Sequence, residues 1–130
     1  MRTARQQAGD EAEGLAAAHL DGRGWMILAR NVRAGRGELD LVAIDPGPPR
    51  ELVVVEVRRR SSRVFGLAEE SVAFRKKTHL RGAIGRLLED GLPGGVALPR
   101  LPLRMDLIVI EPELEPGGAP RVRHHRGIEL

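Results

Sequence analysis

Two acidic residues, Glu38 and Asp40, lie within the stretch GELDLVAID, which otherwise has the apolar pattern of a buried β-strand. A third acidic residue, Glu56, interrupts the next apolar run, LVVVEV. Burying an unpaired carboxylate costs several kcal/mol. Carboxylates in these positions therefore need partners, and the partners decide what chemistry the residues can perform.

The connection between the two runs, DPGPPRE, is short and rich in proline. It predicts an antiparallel hairpin, because neighbouring parallel strands need a crossover of a dozen residues or more. A symmetric turn pairs Ile44 with Leu52, and the same register extends to the acidic residues. It places Asp40 opposite Glu56 and Glu38 opposite Arg58. Directly opposed residues have Cβ atoms about 4.5–5.5 Å apart, and strict alternation places all four side chains on one sheet face.

Carboxylates so close together can share a proton, pair with arginine or bind a divalent cation. Oxygen ligands in a chain without cysteine favour Mg²⁺ or Mn²⁺. Glu13, at the edge of the buried stripe of the first predicted helix, is placed to be a third ligand. Such a site would support phosphodiester hydrolysis, with Arg58 neutralising charge on the phosphate. The simpler alternative is structural, with neighbouring arginines satisfying the glutamates of the hairpin.

The composition limits the class of protein. The chain has 130 residues, 2% aromatic residues and no cysteine, so we expect one domain over residues 1–130, an aliphatic core and no disulfide or thiolate metal site. The N-terminus is too polar for a signal peptide, and no apolar run approaches the ~18 residues needed to cross a bilayer. We therefore expect a cytoplasmic protein that does not bind membranes.

Positive charge is concentrated between Arg58 and Arg81, where eight basic residues face two glutamates, although the whole chain has a net charge of only +3. Such a cluster is typical of a surface that binds a polyanion; a solvated arginine-rich face would give the same pattern. Few aromatics disfavour base stacking and favour backbone recognition of duplex or branched DNA. The predicted phosphate contacts are Arg59, Arg60, Arg63, Lys76 and Lys77.

The periodicity predicts an α/β order of helix, three strands, helix and two strands. The predicted helices cover Thr3–Asp21 and residues 71–91; the predicted strands cover Trp25–Val32, residues 38–44, Leu52–Val57 and residues 103–111, with a short final strand. Residues 111–120 are interpreted as a mobile, turn-rich insert. His124 and His125 point to opposite sides of a strand and so cannot readily chelate one ion; they are interpreted as a solvated or nucleic-acid-contacting tail.

The order GELDLVAID, LVVVEVRRRSS and FG resembles the YraN-like family of bacterial proteins. That family is similar to archaeal Holliday-junction resolvases, within the restriction-endonuclease-like nuclease superfamily. Further similarity lies in the segments AEGLAAAHL, ARNVR, KKTHLRGAIGRLL and RMDLIVI. The resemblance therefore covers most of the chain.

The resemblance implies a restriction-endonuclease-like α/β fold, a mixed β-sheet flanked by helices, with a motif of aspartate followed by glutamate-x-lysine. By position, the motif acids fall on Asp40 and Glu56, and a helix glutamate that assists metal binding falls on Glu13. Lys76 matches a basic position in the second helix. Arg58 replaces the motif lysine; it keeps the charge but is effectively never deprotonated.

Together these observations predict a Mg²⁺- or Mn²⁺-dependent endonuclease acting on branched or damaged DNA. Asp40, Glu56 and Arg58 would be catalytic, and Glu13 would join the two acids as a metal ligand. One alternative is a non-catalytic nucleic-acid-binding module on the same fold, with its motif eroded at Arg58. Another is a protein-interaction factor whose basic face binds an acidic partner. Symmetric cutting of a junction would favour a homodimer.

Overall fold

The computed structural model describes residues 3–60, 74–111, 113 and 115–129, and for residues 5 and 74–78 it describes the backbone alone. The elements, in chain order, are α1 (Ala4–Asp21), β1 (Met26–Ala34), β2 (Gly37–Asp45), β3 (Glu51–Arg59), α2 (Phe74–Asp90), β4 (Leu103–Glu111) and β5 (Arg121–His125). A short 3₁₀ turn, Pro93–Gly95, follows α2. None of the described helices is long and apolar enough to cross a bilayer.

The five strands form one mixed sheet in the order β1-β2-β3-β4-β5. Neighbouring strands are antiparallel except for β3 and β4, which are parallel. Helix α2 lies in the crossover between these two strands, as parallel neighbours require. The predicted α/β fold, a mixed sheet flanked by helices, is therefore confirmed, and its arrangement is consistent with a nuclease-like α/β fold.

Helix α1 begins at a capping box formed by Thr3 and Gln6. The Gln6 backbone N–H donates to Thr3 Oγ1 at 3.1 Å, and the Thr3 backbone N–H donates to Gln6 Oε1 at 2.8 Å. These bonds satisfy two backbone donors that a helix start would otherwise leave without acceptors. The predicted start of the first helix at Thr3 agrees with this cap, and its predicted end at Asp21 is confirmed.

Two apolar clusters cover the two faces of the sheet. The α1 cluster contains Ala12, Ala16, Leu20 and Trp25 with Leu41, Ala43, Val53, Val55, Ile108 and Ile110. The α2 cluster contains Leu80, Ala83, Ile84 and Leu87 with, among others, Val32, Leu39, Val42, Leu52, Val54 and Met105. The central strand β3 contributes to both clusters, which explains why its sequence is a continuous run of β-branched residues.

The register of the β2–β3 hairpin agrees with the prediction at its closed end. Ile44 pairs with Leu52, and the ladder continues as far as Leu41 with Val55. The recorded ladder stops there, one position before Asp40, whose side chain accepts a hydrogen bond from the Val57 backbone N–H at 2.8 Å. The Asp40 carboxylate thus accepts the hydrogen bond that a backbone carbonyl would accept if the ladder continued.

The C-terminal histidines do not form a solvated tail. His124 lies in β5 opposite Ile108 of β4, and its Nε2 is 2.8 Å from Oδ2 of the fully buried Asp106. Arg104 donates to both Asp106 oxygens at 2.8 and 2.9 Å and to Asp45 at 2.9 Å. The interpretation of His124 as part of a solvated tail was wrong, because the pairing of β5 with β4 brings this histidine to a buried acid that is distant in sequence.

Hydrogen bonds set the charge state of this network. Burial alone would raise the pKa of Asp106, but bonds from His124, Arg104 and the Gly127 backbone N–H lower it to about 2. Asp45 and Glu51, at the turn end of the hairpin, accept the remaining guanidinium bonds. Asp45 is five residues from Asp40, which is about 17 Å along an extended strand. The network therefore holds the end of the sheet opposite the acidic residues of the candidate site.

Candidate metal centre

Strands β1 and β2 both change faces at the position of Asp40. Leu39 packs in the α2 cluster and Leu41 in the α1 cluster, although residues two apart on a regular strand share a face. Across the ladder, Val32 pairs with Leu39 and Arg30 pairs with Leu41, which places Asn31 opposite Asp40. The prediction that strict alternation keeps Glu38, Asp40, Glu56 and Arg58 on one face was therefore wrong.

Asn31 is the residue that permits this change of face. Its φ of 52° is left-handed, the only positive φ among the described residues other than glycine. Asparagine tolerates this conformation better than most residues, but it is uncommon within a strand. A strained backbone held at one position by its surroundings is a frequent feature of functional sites.

Three carboxylates meet at this break. One carboxylate oxygen from each of Glu13, Glu38 and Asp40 lies within 4.8 Å of the other two. Glu13 comes from α1, and Glu38 and Asp40 come from β2 on either side of Leu39. The sequence predicted that Glu38 would lie opposite Arg58, and the structure places it among the acids instead. We call these three residues the carboxylate cluster.

Within the cluster, Asp40 also contacts a fourth carboxylate, that of Glu56. Burial, followed by the negative charge of Glu56, raises the pKa of Asp40 to about 8, and the hydrogen bond from the Val57 N–H opposes that rise. Glu56 is itself only 3% exposed, and its side chain shares a hydrogen bond with Asp40. At neutral pH, without a cation, Asp40 therefore holds a proton between neighbouring acids.

Glu13 is oriented by two polar neighbours. Burial raises the pKa of its carboxyl group, and side-chain hydrogen bonds with Asn31 and Asp40 partly offset that rise. Its Oε2 atom is buried and has no hydrogen-bond partner among the described residues. One oxygen of Glu13 is thus buried without a hydrogen bond from the described part of the chain that would compensate its lost hydration.

Arg58 lies beside Glu56. The distance from Arg58 Nε to Glu56 Oε1 is 3.8 Å, which is an ion pair but too long for a hydrogen bond. The side chain is 24% exposed, and its Nε has no hydrogen-bond partner among the described residues. Arg58 therefore presents a partly exposed cation next to Glu56.

The residues predicted to contact phosphate are less closely grouped than the acids. Arg59 is exposed and its Nη1 is 3.5 Å from Glu11 of α1. Arg60 follows the end of β3, and its backbone N–H donates to the Ile110 carbonyl at 2.9 Å. Lys76 and Lys77 lie within α2, and Arg63 lies outside the described residues. Their proposed role in binding nucleic acid stays a prediction.

The donor set of the cluster fits a hard divalent cation. All the donors are carboxylate oxygens, the group that Mg²⁺ and Mn²⁺ prefer. Within the described part of the chain, Glu13, Glu38 and Asp40 form no ion pair that would neutralise them. A cation would displace the proton from Asp40 and would give Glu13 Oε2, which has no hydrogen-bond partner among the described residues, a positive charge to bind. The residues present therefore suit the predicted cofactor.

Sequence reasoning did not identify Asn31 as part of the site and gave Glu38 a structural role. Both omissions come from assuming regular alternation along β2. The available signal was the register itself, because an asparagine opposite an aspartate is unusual in an otherwise apolar pair of strands. No periodicity rule predicts that both strands change faces at the same step.

The fold and the cluster define a small α/β protein with an acidic, oxygen-donor site where two strands of a mixed sheet separate. Residues 12–110 match the family described as "Uncharacterised protein family UPF0102". The chain belongs to this family, which confirms the resemblance to YraN-like proteins.

Relatives match along almost the whole chain. A UPF0102 protein of Pseudomonas syringae pv. syringae is 42% identical over 119 residues, covering 92% of this chain and 89% of the relative. A UPF0102 protein of Pelotomaculum thermopropionicum is 38% identical over 125 residues, covering 95% and 96%. Similarity over this length carries the fold and the family, and leaves the reaction to be argued from the site.

Proposed function

We propose that this protein is a Mg²⁺- or Mn²⁺-dependent DNA endonuclease. The observation that supports this proposal most directly is the carboxylate cluster, in which three acids from two elements lie within 4.8 Å without a basic partner among the described residues. Like charges held together at this distance oppose folding unless a proton or a cation joins them.

In this proposal Glu13, Glu38 and Asp40 hold the cation, and Glu56 completes the carboxylate set through its contact with Asp40. When bound, the cation would polarise a phosphodiester oxygen and lower the pKa of a nearby water. The protein's own contribution is to fix the acids in place. Asn31 orients Glu13, and the Val57 N–H orients Asp40.

Arg58 would stabilise the negative charge that develops on the phosphate. Its side chain lies beside Glu56 and is 24% exposed, and charge-assisted bonds to phosphate are among the stronger hydrogen bonds. Because arginine does not deprotonate, it cannot act as the base that activates water. Proton removal from the water then falls to the carboxylates.

Cleavage of labelled linear duplex and four-way DNA in Mg²⁺, Mn²⁺ or EDTA tests the proposal. We expect cation-dependent cleavage by the wild type and a loss of about a hundredfold or more in Asp40→Asn, equivalent to about 3 kcal/mol. Glu89→Gln is the matched control, because it removes an exposed carboxylate on α2 that pairs with Arg86. DNA that is bound but not cut in either cation would contradict the enzyme and support the non-catalytic alternative.

A further inference from the structure

The hairpin formed by β1 and β2 carries three arginines: Arg30, Arg33 and Arg36. All three are exposed. Several arginines elsewhere in the described chain pair with acids, such as Arg59 with Glu11 and Arg86 with Asp90. Among the described residues, no ion pair involves the three hairpin arginines. The hairpin is therefore a local excess of unmatched positive charge on the edge strand of the sheet.

The break at Asn31 places two of these arginines on the same face as the carboxylate cluster. The α2 cluster packs with Ala29, Val32 and Ala34. Arg30 and Arg33 lie between these residues and therefore point away from the α2 cluster. Three positions separate the two arginines, and on a regular strand they would point in opposite directions. The left-handed conformation of Asn31 aligns them on the side where Glu13 lies.

The position of the hairpin is fixed by its packing against α1 and α2 and by its own register. The Arg30 side chain reaches α1 at Gly14, the residue after Glu13. A Cβ on Gly14 would lie 3.9 Å from Arg30 Nη2. Arg33 is the register partner of Glu38. A Cβ on Gly37 would lie 3.0 Å from Ala83 Cβ and 3.1 Å from the His79 carbonyl, so the hairpin packs tightly against α2. The positive edge is thus presented by a well-supported element.

We propose that Arg30, Arg33 and Arg36 form a binding edge for the phosphate backbone of duplex DNA, which they hold across the carboxylate cluster. This inference rests on the proposed function. It adds a contact surface at the β1 edge of the sheet, at the opposite end of the strand order from β4 and β5. The acids of the carboxylate cluster, together with Glu56 beside them, repel a phosphate backbone. An edge of unmatched arginines beside them offsets that repulsion and attracts the polyanion.

Binding is tested in EDTA, so that cleavage does not enter the measurement. Fluorescence polarisation of a labelled 20-base-pair duplex over a series of salt concentrations compares the wild type with the triple variant Arg30→Gln, Arg33→Gln, Arg36→Gln. The matched control is Arg50→Gln, Arg100→Gln, Arg121→Gln, which removes the same charge from other exposed positions. Thermal unfolding of each variant confirms that it is folded.

We expect the hairpin variant to lose at least about tenfold in affinity at 100 mM salt, and its salt slope to fall by about 0.9 for each phosphate contact removed. The control should lose no more than about threefold. Equal losses in both variants, no loss in the hairpin variant, or no binding by the wild type would overturn the proposal.

The two proposals fail differently. Cleavage by the wild type, together with full DNA affinity in the hairpin variant, would remove the binding edge and leave the nuclease. Hairpin-dependent binding in EDTA without cleavage in Mg²⁺ or Mn²⁺ would retain the binding edge and remove the nuclease.

Discussion

Replacing Asp40 by asparagine should stabilise the cation-free protein, although it removes a residue of the proposed centre. The pKa of Asp40 is raised to about 8 by burial and by Glu56, against an ordinary value near 3.8. Between these two pH values the folded protein holds a proton that the unfolded chain has released. By linkage, the free energy of unfolding then falls as the pH rises, by up to about 1.4 kcal/mol per unit from this group.

The magnitude follows from the width of that interval. At pH 7 the group is about three units above its ordinary pKa, which gives a cost of about 4 kcal/mol as an upper value. Asparagine resembles the protonated acid, because its carbonyl can accept from the Val57 N–H and its amide can donate to Glu56. We therefore expect Asp40→Asn to be more stable than the wild type by about 2–4 kcal/mol at pH 7 to 8, and about equal to it near pH 4.

Urea unfolding in EDTA from pH 4 to pH 9 measures this difference. Asp45→Asn is a control of opposite sign. Burial would raise the pKa of Asp45, but the Gly47 N–H and Arg104 lower it overall, so its stabilising contribution is present at neutral pH and is lost as the pH falls. An Asp40→Asn variant with the same pH slope as the wild type, or with lower stability at pH 8, would refute the reasoning.

Three further predictions concern neighbouring residues. Asn31→Val should lower the free energy of unfolding by about 1–2 kcal/mol relative to Asn31→Gly, because only glycine adopts φ near 52° without strain; equal stability in urea would contradict the left-handed strand position. Asp106→Asn should destabilise the protein by about 1–3 kcal/mol, since it removes one of the two buried carboxylates that pair with Arg104; a change below about 1 kcal/mol by the same assay would show that the network is not coupled. Arg58→Lys should retain Mg²⁺-dependent DNA cleavage and increase its rate if a lysine can assist the attacking water; complete loss of cleavage in a folded variant would show that the guanidinium itself is required.

The sheet was largely predictable because its signals are local. The apolar runs predicted each strand, and the proline-rich connection fixed Ile44 opposite Leu52, a pair that the structure contains. The helix ends were predictable for the same reason, since Thr3 and the glycine-containing turn after Asp21 mark the limits of α1. These features depend on residues close together in sequence.

The details of the site depend on distant residues and on one irregular position. Glu13 and Asp40 were identified as acids without solvated surroundings, but the inclusion of Glu38 depends on the break at Asn31. His124 was misinterpreted because its partner, Asp106, belongs to a different strand. Alternation and register describe regular strands, so they are least informative where a strand departs from regularity, which is where the acids of this protein meet.

The most direct test of the carboxylate centre is calorimetric titration of the wild type and Asp40→Asn with Mn²⁺ and Mg²⁺ at pH 8. The protein should bind the cation and release about half a proton per site, because Asp40, with a pKa of about 8, is about half protonated at that pH. Asp40→Asn should lose most of this affinity, and Glu89→Gln should keep it. A wild type that binds neither cation, or an Asp40→Asn variant that binds as tightly as the wild type, would contradict the assignment of this cluster as a metal centre.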